Sequence, residues 1–380
     1  MKDSVWLIAT ALFGVEAVVA RELKHLGYDD VYTEDGKVTF KAPLSGICRA
    51  NLWLRCADRV FVKIGEFEAA TFDQLFEGTK ALPWEEWLPK DAAFPVTGSC
   101  VRSTLMSISD CQSIIKKAVV ERLKANYGLG IFPETGAKYK IVFWLLKDKV
   151  VLAMDTSGEG LHKRGYRRRT TLAPLKETLA SALLYISRWT PEKSLLDPLC
   201  GSGTIPIEAA MIGMNIAPGL NRSFDAQYWG NIRSQLWEDA IIEACDMVLT
   251  EKQLEIFGYD IDEDAIDACR FHAREAEVDS VIHFQVRNMT DTSSRFHYGM
   301  VVTNPPYGER MGEKEDNAVL YRQMSDAFHS NLKTWSYYII SSDLDFEKHF
   351  GRTADKKRKL YNGGIKCYLY QYYGPKPPLG

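Results

Sequence analysis

Residues 195–210 of the chain are Leu-Leu-Asp-Pro-Leu-Cys-Gly-Ser-Gly-Thr-Ile-Pro-Ile-Glu-Ala-Ala. The apolar start predicts a buried strand, Gly-Ser-Gly predicts a tight turn, and the remainder predicts a helix. Glycines let a backbone approach a ligand closely, and the N-terminus of the helix offers free N–H donors. The stretch therefore predicts a ligand-binding strand–turn–helix unit of a parallel α/β sheet.

This glycine turn does not fit the two commonest nucleotide-binding patterns. No third glycine follows, and the next acidic residue at a strand end, Asp260, lies 260 − 203 = 57 residues after Gly203. A dinucleotide-binding fold would place that acid about 20 residues on. The turn also lacks the Lys-Ser/Thr pair of a P-loop. Both classes are therefore disfavoured.

The chain on either side of the turn continues the α/β pattern. From residue 177 onward, short apolar runs alternate with helical patterns, which predicts a mostly parallel sheet of a Rossmann-like domain. A hairpin is expected at the end, across Asn362-Gly363-Gly364. The candidate strands are Ser194–Asp197, Leu254–Asp260, Val281–Val286, Met300–Thr303 and Tyr337–Ser341.

Polar residues follow two of these strands. In Phe257-Gly-Tyr-Asp-Ile-Asp262, we expect Asp260 to accept hydrogen bonds from the two hydroxyls of a ribose. Asp262 is expected to cap the next helix instead. Asn288 and Met289 follow the next strand, within Val286-Arg-Asn-Met-Thr-Asp291. The sequence thus predicts polar groups at the edge where parallel strands end.

The sharpest motif is Val301-Val-Thr-Asn-Pro-Pro-Tyr-Gly-Glu-Arg310. Its prolines fix the backbone and leave the Pro305 and Pro306 carbonyls without competing local N–H donors. The Asn304 amide oxygen and the Pro305 carbonyl can then accept hydrogen bonds from one exocyclic NH₂, which aims the nitrogen lone pair at an electrophile. Tyr307 can stack on the base. We expect these four residues to be catalytic.

The front of the chain predicts two smaller α+β domains. Residues 1–65 follow a β-α-β-β-α-β order, which is typical of a ferredoxin-like domain, and residues 66–157 continue in the same style. Residues 158–176 are predicted to be a basic linker, because Leu161–Lys176 has six Lys or Arg and no acid. Residues 177–380 form the predicted catalytic domain.

The basic linker suggests contact with RNA, although solvated charge is the alternative. A tyrosine among arginines combines base stacking with phosphate-binding charge. The helix that bears two adjacent lysines before the linker is a second candidate surface. The RNA-binding residues that we expect are Lys116, Lys117, Lys163, Arg164, Tyr166, Arg167 and Arg168.

Composition excludes several other classes of protein. The 46% apolar and 26% charged residues are typical of a globular chain, and the net charge of −3 means that nucleic-acid binding must depend on local patches. We expect no transmembrane helix and no signal peptide. Eight scattered cysteines without a Cys-x-x-Cys pair indicate reduced thiols, a cytoplasmic protein and no metal site.

The motifs together resemble a known family. Asp-Pro-x-Cys-Gly-Ser-Gly-Thr resembles motif I of class I S-adenosylmethionine (SAM)-dependent methyltransferases, and Asn-Pro-Pro-Tyr resembles motif IV of amino-methyltransferases. With His162–Arg167 and Ala173–Ala180, they resemble the THUMP-domain RNA methyltransferases, especially the bacterial guanine-N2 methyltransferases of large-subunit rRNA. The resemblance implies a THUMP RNA-binding domain at residues 66–157 and a seven-stranded catalytic sheet.

The resemblance also implies a cofactor site and an activity. SAM would bind the motif I turn, the residues after the next two strands, and a hydroxyl before motif I; related enzymes often have an acid at the position of Asn288. The activity implied is guanine-N2 methylation of 23S rRNA. Guanine-N2 methylation of tRNA, adenine-N6 methylation of DNA or RNA, and a non-catalytic RNA-binding assembly factor are the alternatives. The implied SAM-binding residues are Thr178, Asp197, Pro198, Cys200, Gly201, Ser202, Gly203, Thr204, Asp260, Ile261, Asn288 and Met289.

Overall fold

The computed structural model describes residues 4–168, 175–306 and 313–378, with the backbone alone for 313–315. These residues form two compact units. The N-terminal unit holds the chain up to Thr10, Ala20–Leu161 and Ser223–Glu243. The C-terminal unit holds Ala11–Val19, His162–Arg222 and the chain from Ala244 onward.

The first part of the chain has the predicted order of strands and helices. Glycine ends the long helix α4, because Gly128 takes the left-handed conformation (φ +65°) that closes a helix. The elements are β1 (Val5–Ala11), α1 (Glu16–His25), β2 (Val31–Glu34), β3 (Lys37–Ala42), α2 (Ser45–Trp53), β4 (Ala57–Glu68), α3 (Phe72–Lys80), β5 (Val96–Val101), α4 (Ile108–Tyr127), β6 (Ile141–Leu146) and β7 (Lys149–Asp155).

One continuous sheet joins the two predicted N-terminal domains. Its strand order, within the described chain, is β2-β3-β1-β4-β7-β6-β5. The junction is the antiparallel pair of β4 and β7, which runs from Phe61↔Asp155 to Glu68↔Lys149 with a register shift between Lys63 and Gly65. Backbone hydrogen bonds therefore connect the ferredoxin-like strands directly to the strands that follow.

The segment Ser223–Glu243 follows the motif I helix in sequence but packs within the N-terminal unit. Trp229 stacks on Tyr139 at a centroid distance of 4.7 Å and an interplanar angle of 19°. Its indole N–H donates to the Lys138 carbonyl at 2.8 Å, and Gly230 N donates to the Tyr139 hydroxyl at 3.1 Å. The range 177–380, proposed as one domain, thus includes a segment that belongs to the other unit.

The remaining elements build the C-terminal unit, except for helix α7 (Ser234–Asp246), most of which lies in the Ser223–Glu243 segment of the N-terminal unit. Asp262 caps α8, as predicted, because its side chain accepts a hydrogen bond from Asp264 N. The elements are α5 (Glu177–Ser187), β8 (Leu195–Asp197), α6 (Thr204–Gly213), α7 (Ser234–Asp246), β9 (Ile256–Asp260), α8 (Glu263–Glu275), β10 (Ile282–Val286), β11 (Met300–Thr303), α9 (Glu313–Asn331), β12 (Ser336–Ser341), α10 (Phe346–Phe350), β13 (Lys356–Asn362) and β14 (Ile365–Tyr372).

The sheet of the C-terminal unit confirms the predicted fold class. The seven strands of its described part lie in the order β10-β9-β8-β11-β12-β14-β13. The first five are parallel, and the terminal hairpin adds two antiparallel strands. Because β8 lies between β9 and β11, the turns after these three strands come together at one edge.

An aromatic core supports that edge. Tyr321 and Phe328 of α9, Phe346 of α10, and Tyr337 and Tyr370 of the sheet are buried in one cluster. Their rings are closely packed; the Phe346 and Tyr370 centroids, for example, lie 4.5 Å apart. Rings of this size supply much of the buried apolar area of a domain. In the described part of the chain, no helix is both long and apolar enough to cross a membrane.

Candidate active site

Two neighbouring strand ends are tied together by a buried hydrogen bond. The Thr303 hydroxyl at the end of β11 donates to Asp197 Oδ1 at the end of β8, at 2.6 Å. Both residues are buried. Burial raises the pKa of Asp197 to about 7, although the hydrogen bonds from Thr303 and from Leu199 N oppose the shift. Asp197 thus links the Gly-x-Gly turn to the strand that carries Asn304.

The Gly-x-Gly turn leaves room for a ligand. Gly201 has φ +51°, and a Cβ built on it meets nothing within 4 Å. Gly203 has φ +82°, and a Cβ there would lie 3.0 Å from Cys269 Sγ, so a side chain would be both strained and crowded. The turn is otherwise packed: Pro198, Cys200, Ser202 and Thr204 are buried. The open space beside Gly201, which we call the cradle, leaves room for a ligand against the backbone of the turn.

Asp260 borders this cradle at the end of β9. Its Oδ2 accepts from Gly201 N at 2.9 Å, and its Oδ1 accepts from Asp262 N at 3.1 Å. A carboxylate offers about four acceptor sites, so two remain for a ligand. Ile261, next in the chain, is 67% exposed. An exposed apolar side chain beside a fixed carboxylate suits a ligand with one flat apolar part and one hydroxylated part.

A buried hydroxyl without a partner lies on α5. Thr178 is 1% exposed, and no described residue forms a hydrogen bond with its Oγ1. A buried donor that lacks a partner is costly, and a bound ligand commonly supplies the missing one. Helix α5 packs on α6 and on β11, the elements that follow the Gly-x-Gly turn and precede Asn304. Thr178 is therefore well placed to be a ligand contact.

The residues after β10 divide into an exposed one and a buried one. Asn288 is exposed, and its Oδ1 accepts a hydrogen bond from Thr290 N at 3.0 Å, so the side chain caps a short turn. Met289 is 3% exposed and belongs to the aromatic core. Asn288 can still offer its NH₂ to a ligand, whereas the Met289 side chain is part of the core beneath the sheet edge.

The Asn304-Pro305-Pro306 turn is held from α9. The Pro306 carbonyl accepts hydrogen bonds from Asn317 Nδ2 at 3.1 Å and from the Tyr321 hydroxyl at 2.9 Å. Both donors are side chains of a distant helix, which the prediction about local N–H donors did not address, and they occupy the Pro306 carbonyl. Among described residues none donates to the Pro305 carbonyl, so that acceptor remains for a substrate. Tyr307 lies outside the described residues.

Asn317 and Tyr321 were not found by sequence reasoning. They lie four residues apart on α9 and therefore on one face of the helix. Burial raises the pKa of Tyr321 to about 12, so its hydroxyl keeps its proton and donates at neutral pH. A polar pair at this spacing shortly after Asn-Pro-Pro-Tyr was the only signal, and such pairs are common on solvated helices.

The structure contradicts the RNA-binding role predicted for two residues of the basic segment. Arg164 and Tyr166 are each 2% exposed, so neither offers a surface to RNA. Both bond to Glu208 of α6: Arg164 Nη2 lies 3.2 Å from Oε2, and the Tyr166 hydroxyl lies 3.3 Å from Oε1. Glu208 also accepts from Ser181. A buried carboxylate on the motif I helix thus holds Arg164 and Tyr166 in the interior.

Arg167 is also committed to the protein interior. Its Nη2 donates to Thr204 Oγ1 at 2.5 Å and to the Leu175 carbonyl at 3.0 Å, and its Nε lies 3.4 Å from Glu177 Oε1. The expectation that Arg167 contacts RNA is replaced by a role in holding the first residue of α6. Lys163 and Arg168 are exposed, and Arg168 Nε lies 3.0 Å from Glu275 Oε2. Both remain candidates for RNA contact, although the charge of Arg168 is partly paired.

The two predicted lysines of α4 differ from each other. Lys116 bonds to Glu134 Oε1 at 2.6 Å and lies 3.5 Å from the centre of the Phe94 ring, so its charge is already paired. Lys117 is exposed, with its amine 5.8 Å from the Phe76 ring. Of this pair, Lys117 is the better candidate for a phosphate contact.

Comparison with known proteins gives the family. Residues 164–371 match the UPF0020 model, described as "RMKL-like, methyltransferase domain". Residues 6–61 match the RlmL ferredoxin-like domain, and residues 69–155 match the THUMP domain. "Putative RNA methyltransferase YpsC" of Bacillus subtilis (strain 168) is 48% identical over 374 residues, which cover 98% of this chain and 97% of YpsC.

A longer relative and a solved structure agree with this assignment. "Ribosomal RNA large subunit methyltransferase K/L" of Syntrophotalea carbinolica is 34% identical over 98% of this chain, but the chain spans only 54% of that protein. The crystal structure of SMU.472 complexed with SAH has a TM-score of 0.93 and 44% identity, covering 99% of this chain and all of that one. The chain therefore belongs to the UPF0020 family of RMKL-like methyltransferases, with an RlmL ferredoxin-like domain and a THUMP domain ahead of its methyltransferase domain.

Proposed function

We propose that this protein transfers a methyl group from SAM to an exocyclic amino group of RNA, and that its target is guanine N2 of 23S rRNA. The observation that carries the proposal is the pairing of the Gly-x-Gly turn with the Asn-Pro-Pro turn, joined by the 2.6 Å bond between Thr303 and Asp197. One turn offers a cradle for a nucleoside, and the other offers acceptors for an amino group.

The residues present fit SAM. The open space at Gly201 accommodates backbone contact, the remaining acceptor sites of Asp260 suit ribose hydroxyls, and the Thr178 hydroxyl lacks a partner. Asp260 also places a carboxyl group near a cofactor that carries positive charge. SMU.472, which has the same fold and 44% identity, was crystallised with the demethylated product SAH.

The chain's own groups act on the amino group of the substrate. SAM supplies an electrophilic methyl group bonded to a positively charged sulfur. The Asn304 amide oxygen and the Pro305 carbonyl accept the two hydrogens of the target NH₂, which directs its lone pair out of conjugation with the ring. With SAM bound, the nitrogen lone pair would form the C–N bond to the methyl carbon. The C–S bond would break at the same time and leave its electron pair on sulfur. The nitrogen loses a proton after the transfer.

Positioning is the main contribution of the protein. Asn317 and Tyr321 fix the Pro306 carbonyl, so the turn does not have to reorganise when a substrate enters. Correct placement of two reactants can contribute about 7–11 kcal/mol to lowering a barrier, and removing one preorganised acceptor typically costs about 10²–10³ in rate. We assign that loss in rate mainly to removal of the Asn304 side chain.

RNA as the substrate is supported by the front half of the chain. A THUMP domain precedes the methyltransferase domain, and the K/L relative is named for large-subunit ribosomal RNA. An Asn-Pro-Pro-Tyr turn serves an adenine N6 amino group equally well. Guanine N2 is therefore proposed from the resemblance to the K/L relative, which this chain matches over about half of that protein's length.

The test is nucleoside mass spectrometry after reaction of the purified full chain with SAM. The substrates are 23S rRNA and tRNA from a deletion strain and a DNA duplex. We expect N2-methylguanosine in 23S rRNA alone, and loss of about 10²–10³ in rate for Asn304→Ala with unchanged SAM affinity. N6-methyladenosine would overturn the base assignment. Near-normal turnover by Asn304→Ala would overturn the mechanism.

A further inference from the structure

The hairpin that ends the chain has an unusual composition. Lys356–Tyr373 contains five Lys or Arg, five Tyr and no Asp or Glu, in a chain whose net charge is −3. Sequence analysis treated it only as a hairpin, and neither the cofactor site nor the Asn-Pro-Pro turn uses it. A local excess of one charge interleaved with aromatic rings is the composition of a surface that tracks a single nucleic-acid strand.

Strand pairing brings four of these side chains to one face. Lys359 lies directly opposite Tyr368, and Tyr361 directly opposite Lys366. The Lys359 amine lies 5.3 Å from the centre of the Tyr361 ring, and the Lys366 amine lies 5.2 Å from that of Tyr368. We call these four residues the Lys–Tyr face. Both lysines are exposed, and both tyrosines are half-buried.

The opposite face of the hairpin is part of the protein core. Leu360, Cys367 and Leu369 are buried there, and Arg358 on the same side donates to the Gly14 carbonyl at 2.6 Å. The hairpin therefore has a fixed inner side. Its other side is buried where Tyr370 packs on Phe346 and is open to solvent at the Lys–Tyr face, nearer the hairpin turn. Such a face is rigid, which lowers the entropic cost of binding a flexible strand.

The charge of the Lys–Tyr face is not neutralised within the protein. Lys357, one pair further from the hairpin turn, bonds to Glu347 at 2.7 Å, but in the part of the chain that the structure describes no carboxylate lies within 4 Å of the Lys359 or Lys366 amine. A hydrogen bond with the Tyr368 hydroxyl raises the pKa of Lys366, which keeps that amine charged. Two unpaired ammonium groups beside two rings are thus available.

The Lys–Tyr face flanks the proposed catalytic turn. Thr303 of β11 is paired with Ile339 of the neighbouring strand β12, and Ile339 is in turn paired with Tyr370 of β14. Tyr368 is two residues nearer the edge at which Asn304 follows its strand. Strands are about 4.8 Å apart, so β14 lies roughly 10 Å from β11 along that edge. Nucleotides next to a target base at Asn304 would reach this face.

We propose that the Lys–Tyr face binds the single RNA strand that carries the target nucleotide, with the lysines on phosphates and the tyrosines stacked on bases. The proposal rests on the proposed function, because it takes RNA to be the substrate. It assigns the RNA path to the catalytic unit as well as to the THUMP domain. Proteins that bind single strands without sequence preference combine these same two contacts.

The test compares paired variants in an RNA-binding assay that needs no methyl transfer. Lys359→Ala/Lys366→Ala is measured against Lys193→Ala/Lys333→Ala, which removes two exposed lysines where β8 and β12 begin, at the opposite edge of the same sheet. The probe is a short fluorescein-labelled single-stranded RNA, titrated by anisotropy at several salt concentrations. Thermal melts and SAM calorimetry verify that each variant is folded.

We expect the Lys–Tyr variant to bind RNA about tenfold more weakly at low salt, while the control binds like wild type. Its slope of log K against log salt should fall by about 1.4, which is two phosphate contacts at about 0.7 each. Tyr361→Ala/Tyr368→Ala should weaken binding without changing the slope. Wild-type affinity and slope in the lysine variant would overturn the proposal even if the enzyme methylates RNA. Loss of affinity in a protein that transfers no methyl group to RNA would refute only the proposed function.

Discussion

Arg164→Met is expected to destabilise the C-terminal unit strongly. The Arg164 and Glu208 side chains are 1% and 0% exposed, and the guanidinium makes two bonds to the carboxylate, with Nε 3.3 Å from Oε1 and Nη2 3.2 Å from Oε2. Met keeps the apolar stem but removes the charge. Among the described residues, the hydroxyls of Tyr166 and Ser181 then remain as hydrogen-bond donors to Glu208. Leaving a buried charge without its partner costs about 3–5 kcal/mol.

Thermal and denaturant unfolding measure this effect. For a unit of this size, about 3–5 kcal/mol corresponds to a fall in Tm of roughly 6–20 °C. Lys163→Met is the matched control, because it removes the same charge from the exposed neighbour and should change stability by less than about 0.5 kcal/mol. Arg164→Met/Glu208→Leu should recover much of the loss, since an apolar pair can replace a buried ion pair at little cost.

Equal melting of Arg164→Met and Lys163→Met would refute this reasoning. The same would hold if the double variant were less stable than the single one by the full cost of a second deletion, because the two side chains would then act independently. If Arg164→Met had normal stability but bound RNA more weakly, Arg164 would have to be assigned the RNA-binding role that its sequence context suggested.

Three further results are expected. Asp260→Ala should weaken SAM binding by about 1–3 kcal/mol in calorimetry, because two acceptors for ribose hydroxyls are lost; unchanged affinity would remove Asp260 from the site. Burial raises the pKa of Asp197 from 3.8 to about 7, so the folded protein holds that proton more tightly than the unfolded chain does. The free energy of unfolding should therefore fall as pH rises between these two values, by at most about 1.4 kcal/mol per pH unit. Asp197→Asn should flatten that pH profile, and an identical profile would contradict the assignment. Tyr321→Phe should lower kcat about tenfold and leave the Kd for SAM unchanged, since the Pro306 carbonyl loses one of its two hydrogen bonds from α9 and keeps the one from Asn317. Tyr337→Phe, which loses a buried hydroxyl bonded to other carbonyls, is its control for stability. Equal kcat values in the two variants would exclude a positioning role for the Tyr321 hydroxyl.

The fold and the skeleton of the site were predictable because they depend on local patterns. Alternating apolar runs and helices indicate a parallel sheet, and the ends of parallel strands meet at one edge whatever the intervening sequence. Asp197, Asp260 and Asn304 could therefore be placed at a common edge from their positions after strands. Asp262 was identified as a cap for the same reason, since a helix terminus is a local feature.

The roles of the basic segment could not be predicted from composition. Arg164, Arg167 and Arg168 look equivalent in the sequence, yet Arg164 is buried, Arg167 is half-buried and bonded to neighbouring residues, and Arg168 is exposed. The difference comes from Glu208, which lies 44 residues after Arg164, on a helix whose buried face only the assembled unit defines. A cluster of basic residues in the sequence does not indicate which of them will pair with a buried acidic side chain.

The sequence by itself determined the strand–turn–helix at residues 195–210, the polar residues at strand ends and the family resemblance, because each is written in consecutive residues. Only the tertiary structure decided that α9 holds Pro306, that Ser223–Glu243 packs with the N-terminal unit, and that four side chains of the last hairpin share an outward face. These outcomes depend on contacts between residues far apart in the chain, on the register of paired strands and on which charges are excluded from water. Such properties arise when the chain packs, and no local pattern encodes them.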